Sequence, residues 1–192
     1  MKDAFAVFEI PPRPWLSPET LHDFFMKRAA TFHPDSNDDA SARSEFLELN
    51  AAYQTLKDPV KRLRCFLQII TKGESAQLEK SNADQPQLQL LFAEIAPLKN
   101  DLDQFTKKRA LATSPVSLAL LRHEEQELKN KMTLLNEKLR QEWQTCEAEL
   151  LELDNEWENR SLTLVPFAKR LCTRMSFLQK WTTLLEGISI EA

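Results

Sequence analysis

Glycine is nearly missing from this chain of 192 residues, with only Gly73 and Gly187 present. Tight hairpin turns that need a positive φ have almost nothing to be built from. Alternating runs of strand type are missing too, while Leu, Glu, Gln, Lys and Ala dominate, so the chain is expected to be all-α. Cysteine is sparse: Cys65, Cys146 and Cys172 are odd in number and lack the paired spacing of a zinc site or a disulfide framework. No metal and no cofactor is expected, and a reducing cytoplasm fits. Positive charge is not in excess, since the formal net charge is -4, and no Lys/Arg stripe is interleaved with aromatics. A nucleic-acid partner is therefore not expected. Met1-Lys2-Asp3 leads to Pro11-Pro12 before any apolar run of signal-peptide length, and no later segment approaches a membrane span. The expectation is a soluble cytoplasmic protein with no membrane partner.

What is present is helical patterning. Leu21, Phe24, Phe25, Ala29 and Phe32 repeat at helical spacing, as do Phe46, Leu49, Tyr53 and Leu56. Two helices joined by a polar turn bury such stripes against each other, which puts His33-Pro34-Asp35 at the open tip of an antiparallel hairpin. A short helix over about Asp3 to Phe8 precedes it, followed by an extended link through Pro11-Pro12-Arg13-Pro14. Ser17, Pro18 and Glu19 are suited to N-cap, first helical position and positive dipole end of the second helix. That helix should end at the tripeptide, because Pro34 disfavours helical backbone at His33. The third helix runs to about Lys57, and Asp58-Pro59 starts a fourth that ends near Gly73. The expected division is residues 1–73, a polar linker over 74–84, and a three-helix bundle over 85–192.

In the bundle, Leu90, Leu91, Ile95, Leu98, Leu102 and Phe105 mark a first helix bent at Pro97. Ser114-Pro115 opens the next, with Leu118, Leu121, Leu128, Met132, Leu135, Leu139, Cys146, Leu150, Leu153 and Trp157 on nearly a heptad repeat. Asn159-Arg160-Ser161 should break it before a last helix from about Leu164 to Glu186. The stripe is read as core between neighbouring helices rather than as a dimerisation zipper. An acid-base role for His33 and Asp35 lacks a nucleophile motif and a pocket. No catalytic residue is expected, and the chain is read as a non-enzyme.

Phe24 to Asp35, then Phe46-Leu47-Glu48-Leu49-Asn50-Ala51-Ala52-Tyr53-Gln54-Thr55-Leu56-Lys57-Asp58-Pro59 and Arg62, resemble a J-domain, the module that stimulates ATP hydrolysis in DnaK-type chaperones. The resemblance implies a chaperone-docking set of Lys27, Arg28, His33, Pro34 and Asp35. Met26, Thr31 and Ser36 stand where many J-domains carry Lys, Arg or Gln, which implies a weaker cationic patch. No Gly/Phe-rich linker or repeated Cys-x-x-Cys module follows, which removes the general DnaJ type.

The whole chain instead resembles HscB, the co-chaperone of iron-sulfur cluster assembly. Phe5-Ala6-Val7-Phe8-Glu9-Ile10-Pro11 is similar to that family's start, with Glu9 replacing a glycine. Leu98-Lys99-Asn100-Asp101-Leu102-Asp103 and Lys169-Arg170-Leu171 with Arg174 to Lys180 are similar to its bundle helices. This likeness implies an HscA-type chaperone partner and an IscU-like scaffold protein as client. The client would be held by Leu91, Phe92, Ile95 and Ala96 on the first bundle helix and Phe177 on the last. Pro97, Asn100 and Gln104 stand where the family's glutamates align, so the charged half is absent or displaced to Glu94, Asp101 and Asp103. Two other readings stay open: a J-protein with an unrelated client, and a J-like scaffold without a chaperone partner.

Overall fold

The computed structural model describes residues 3–30, 40–71 and 86–187. Among them there is no strand; the order is α1 (Ala4–Phe8), α2 (Pro18–Ala29), α3 (Ala40–Lys57), α4 (Pro59–Ile70), α5 (Pro86–Leu111) and α6 (Pro115–Glu186). No described helix is long and apolar enough to cross a membrane. The helix starts follow local chemistry. The Ser17 side chain accepts from the Thr20 amide at 3.1 Å, and Asp58 accepts from the Val60 and Lys61 amides. The hydroxyl of Ser114 accepts from Ser117 N. Each of these caps precedes a proline at the first helical turn, where the missing N–H costs nothing. The helix ends follow the sequence expectation less closely. α2 stops at Ala29, short of the tripeptide, and α4 stops at Ile70 with Thr71 as C-cap. Gly73, the expected cap, and the 74–84 linker lie outside the described residues.

The chain forms two compact units that cut across the expected division. The first takes in Met1–Leu78 and Ala148–Cys172; the second is Glu79–Glu147 with Thr173–Ala192. Residues 148–172 join the first unit for a visible reason. Asp154, only 5% exposed, accepts from Arg13 Nη2 at 2.8 Å, Arg13 Nε at 3.3 Å and Trp15 N at 3.3 Å. Nearby, Phe66 meets Trp157 edge-on at 4.6 Å between centroids. The proline-rich link is thus fastened to this stretch of α6.

Within the first unit, α3 packs on α1, α2 and α4. Leu21, Leu49, Ala52, Leu56, Val60, Leu63, Phe66 and Leu67 close over Phe5 and Phe8 to make its core.

The backbone is helical from Pro115 to Glu186, but it turns back on itself between Cys146 and Arg174, an interval centred on the expected break at Asn159-Arg160-Ser161. No glycine or proline lies between Val116 and Val165 to remove an amide or favour a turn. The chain nevertheless reverses. Arg174 Nε lies 2.9 Å from Cys146 Sγ, whereas a straight helix would hold residues that far apart in sequence about 42 Å apart. In the second unit, α5 runs antiparallel to the first arm of α6. Four cross-helix ion pairs fix the register: Glu94–Lys138, Asp101–Lys131, Lys108–Glu124 and Arg109–Glu125. With the arm that returns from Thr173, these segments make the three-helix bundle.

Candidate functional site

On the first unit the candidate surface begins at the end of α2. Lys27 and Arg28 occupy its last turn, where cations suit the negative dipole end. Lys27 is exposed and Arg28 half-buried. Arg28 Nη1 sits 2.9 Å from Glu9 Oε1, and it borders a groove of about 400 Å³ with Asp3, Glu45 and Glu48. His33, Pro34 and Asp35 fall outside the described residues.

Glu9 is held in an unusual backbone state. It is the described non-glycine residue with positive φ, at 56°, and its amide closes α1 by donating to Ala6 O and Phe5 O. This is the left-handed cap position that glycine favours. The substitution seen in the sequence therefore places a carboxylate on a strained residue beside Arg28.

Two further residues hold the hairpin from below. Arg62, 4% exposed, donates from Nε to Pro14 O at 3.1 Å and from Nη1 to Leu56 O at 2.8 Å. A buried guanidinium is stable only with such acceptors. It ties the end of α3 to the proline-rich link, and Asp154 ties the same link to α6. Neither Arg62 nor Asp154 announces its role locally, because Pro14 lies 48 residues from Arg62 and Arg13 lies 141 from Asp154. Phe25 and Tyr53 stack across α2 and α3 at 4.5 Å. Burial pushes the Cys65 thiol up, against a hydrogen bond from the Ala4 backbone that lowers it, so it is a poor nucleophile at neutral pH.

On the second unit the residues expected to hold a client separate into two kinds. Leu91 and Ile95 are 6% and 3% exposed. With Leu98, Leu102 and Phe105 they form the buried stripe of α5, so they are core and not contact surface. A single step along the helix changes the face: Phe92 is 56% exposed and Leu90 69%. Phe177 is half-buried. It does not touch Phe92 through an identified ring contact, but both reach Trp181, at 5.8 and 6.4 Å between centroids. Trp181, 6% exposed, is a core residue on which both phenylalanines rest.

The carboxylates near this cluster are engaged within the unit. Lys138 Nζ lies 2.6 Å from Glu94 Oε2, and Lys131 Nζ 3.5 Å from Asp101 Oδ2. Asp103 is exposed. Pro97, Asn100 and Gln104 are also exposed and carry no charge. The arrangement offers apolar and aromatic surface with little net field. Among the described residues no group of three His, Cys, Asp or Glu side chains is placed to hold a metal.

Residues 3–64 match the family model of the DnaJ domain. A stretch of 43 residues is 56% identical to the chaperone protein DnaJ of Agrobacterium fabrum, covering 22% of this chain and 11% of that protein. Over 90 residues the chain is 31% identical to a co-chaperone protein HscB homolog of Mannheimia succiniciproducens, covering 44% of this chain and 52% of that one. The chain thus spans about a tenth of the length of the DnaJ relatives that it matches and about half of the HscB homolog. In fold it is similar to the chaperone HscB from Vibrio cholerae, with a TM-score of 0.58 at 19% identity, covering 97% of this chain and 96% of that one.

Proposed function

We propose that this chain, an HscB-like J-domain protein, is a co-chaperone. Its α2–α3 hairpin stimulates ATP hydrolysis by a DnaK- or HscA-type chaperone, and its bundle delivers a client to that chaperone. The observation that carries the first half is the DnaJ-domain match over residues 3–64 on an α2–α3 hairpin whose last α2 turn presents Lys27 and Arg28. Lys27 and Arg28 steer an acidic chaperone surface, an effect mainly on encounter rate. His33, Pro34 and Asp35 deliver the stimulating contact. The chain is a binding protein in this scheme: the bond broken is the chaperone's ATP, and no residue of this chain needs to act as nucleophile or base.

For the client, the HscB likeness supports an iron-sulfur scaffold protein of IscU type. We place it on Phe92 and Phe177, which the buried Trp181 supports from beneath. Leu91 and Ile95 serve indirectly, by fixing the face of α5. The engagement of Glu94 and Asp101 by lysines favours a second reading, a J-protein with a different client, since the charged half of a scaffold contact is neutralised within the unit.

Single-turnover ATPase measurements with a purified DnaK-type chaperone test the first half. The full chain should accelerate hydrolysis, and His33→Gln or Asp35→Asn should remove that acceleration without changing helicity. Stimulation retained by both variants would overturn the reading.

A further inference from the structure

We infer that the tip of the α5–α6 hairpin is a separate interaction surface, one that rests on membranes containing anionic lipid. Residues 104–123 include Lys107, Lys108, Arg109 and Arg122 and not one aspartate or glutamate, in a chain of net charge -4. Large aliphatic side chains stand out of the same stretch: Leu111 is 81% exposed, Leu120 75%, Val116 71% and Leu118 43%. They cluster where α5 ends at Leu111 and α6 begins at Pro115. Val116 and Leu120, four apart, lie on one face of the helix.

Behind the tip, the hairpin is braced. Lys108 pairs with Glu124 at 2.6 Å and Arg109 with Glu125 at 3.2 Å, while Lys107 and Arg122 are exposed on the two helices. The tip is also remote from the aromatic cluster, since Leu111 lies about 28 Å along α5 from Phe92 at the helical rise.

Projecting aliphatic groups beside the exposed cations Lys107 and Arg122, with Lys108 and Arg109 already held by Glu124 and Glu125, match a target that is anionic at its face and apolar beneath. An anionic bilayer has that layering: the leucines reach the acyl boundary while Lys and Arg stems extend back to the headgroups. A second copy of this chain is a poorer occupant, because it would bring the same cations to the contact.

The test is co-sedimentation of the full chain with vesicles of phosphatidylglycerol and phosphatidylethanolamine, against vesicles of phosphatidylcholine alone. We expect partition onto the anionic vesicles that weakens as salt rises. The triple variant Leu111→Ser, Val116→Ser, Leu120→Ser and the double variant Lys107→Glu, Arg122→Glu should each lower it by roughly tenfold or more. All five positions are exposed, and unchanged circular dichroism should show that both variants fold. No binding to anionic vesicles, equal binding to neutral ones, or wild-type binding by either variant overturns the proposal. Sedimentation velocity gives the remaining outcome: a dimer abolished by the triple variant, with vesicles unbound, would make the occupant a second copy and would equally overturn it.

Discussion

Around the end of α2, Glu9 engages Arg28 while Lys27 remains exposed, so the surface keeps exposed charge. Around the aromatic cluster of the second unit, Glu94 and Asp101 are matched by Lys138 and Lys131, and what stays exposed is carbon, above all Phe92. One surface retains charge for a partner, while the other spends its charge on holding α5 against α6. Recognition on the first unit should therefore respond to ionic strength, and recognition on the second should respond to shape. The difference extends below the surface. The first unit is pinned by buried charged groups, Arg62 and Asp154, while the described core of the second is apolar apart from Thr173.

The largest effect should come from Arg62→Ala. It removes two hydrogen bonds and leaves the carbonyls of Pro14 and Leu56 without them in a dry site, a cost of about 3 kcal/mol. Urea unfolding should show it as a lower midpoint. A loss below about 1 kcal/mol would mean that apolar packing, and not Arg62, holds this unit. Next are Phe92→Ala and Phe177→Ala, each expected to weaken scaffold binding by about 1 to 2 kcal/mol. Titrations at low and high salt should give similar affinities; a steep fall with salt would show that carboxylates contribute after all and erase the contrast between the surfaces.

Asp154→Ala should cost about 1 to 2 kcal/mol of stability, since it breaks a two-pronged contact with a half-exposed arginine and strips the Trp15 amide of its acceptor. Thermal melting of the full chain checks it. The same contact, with Phe66 on Trp157, predicts that residues 1–73 in isolation are less stable than the same unit in the whole chain. The smallest effect is Glu9→Gly. Relief of a left-handed glutamate is worth about 1 kcal/mol, and the exposed ion pair that is lost offsets part of it. The net is a slight rise in melting temperature, together with faster chaperone association at low salt because one negative charge beside Arg28 is removed.

Much of the fold was legible because its signals are local. Ser17-Pro18, Asp58-Pro59 and Ser114-Pro115 each announce a helix start within a few residues, and the apolar periodicity of α2, α3 and α5 locates their buried faces, except that Leu90, read into the α5 stripe, faces solvent. Ends were harder: Thr71 closes α4 ahead of the glycine, because a helix can end on its own carbonyls without a special residue. Two kinds of information were not local. The allegiance of 148–172 to the first unit depends on Asp154 finding Arg13 far back in the chain. The client surface turned on a single residue of helical phase, since Leu91 and Phe92 differ by about 100° around α5. A resemblance aligned by position carried both over as contact residues; burial separates them.

The most direct test of two independent surfaces on one chain is a crossed experiment. Single-turnover hydrolysis by a DnaK-type chaperone and affinity for an IscU-type scaffold are both measured for wild type, His33→Gln and the pair Phe92→Ala, Phe177→Ala. The account predicts that His33→Gln loses stimulation and keeps scaffold affinity, while the phenylalanine pair loses scaffold affinity and keeps stimulation in the scaffold's absence. Either variant losing both, or neither losing anything, would contradict it.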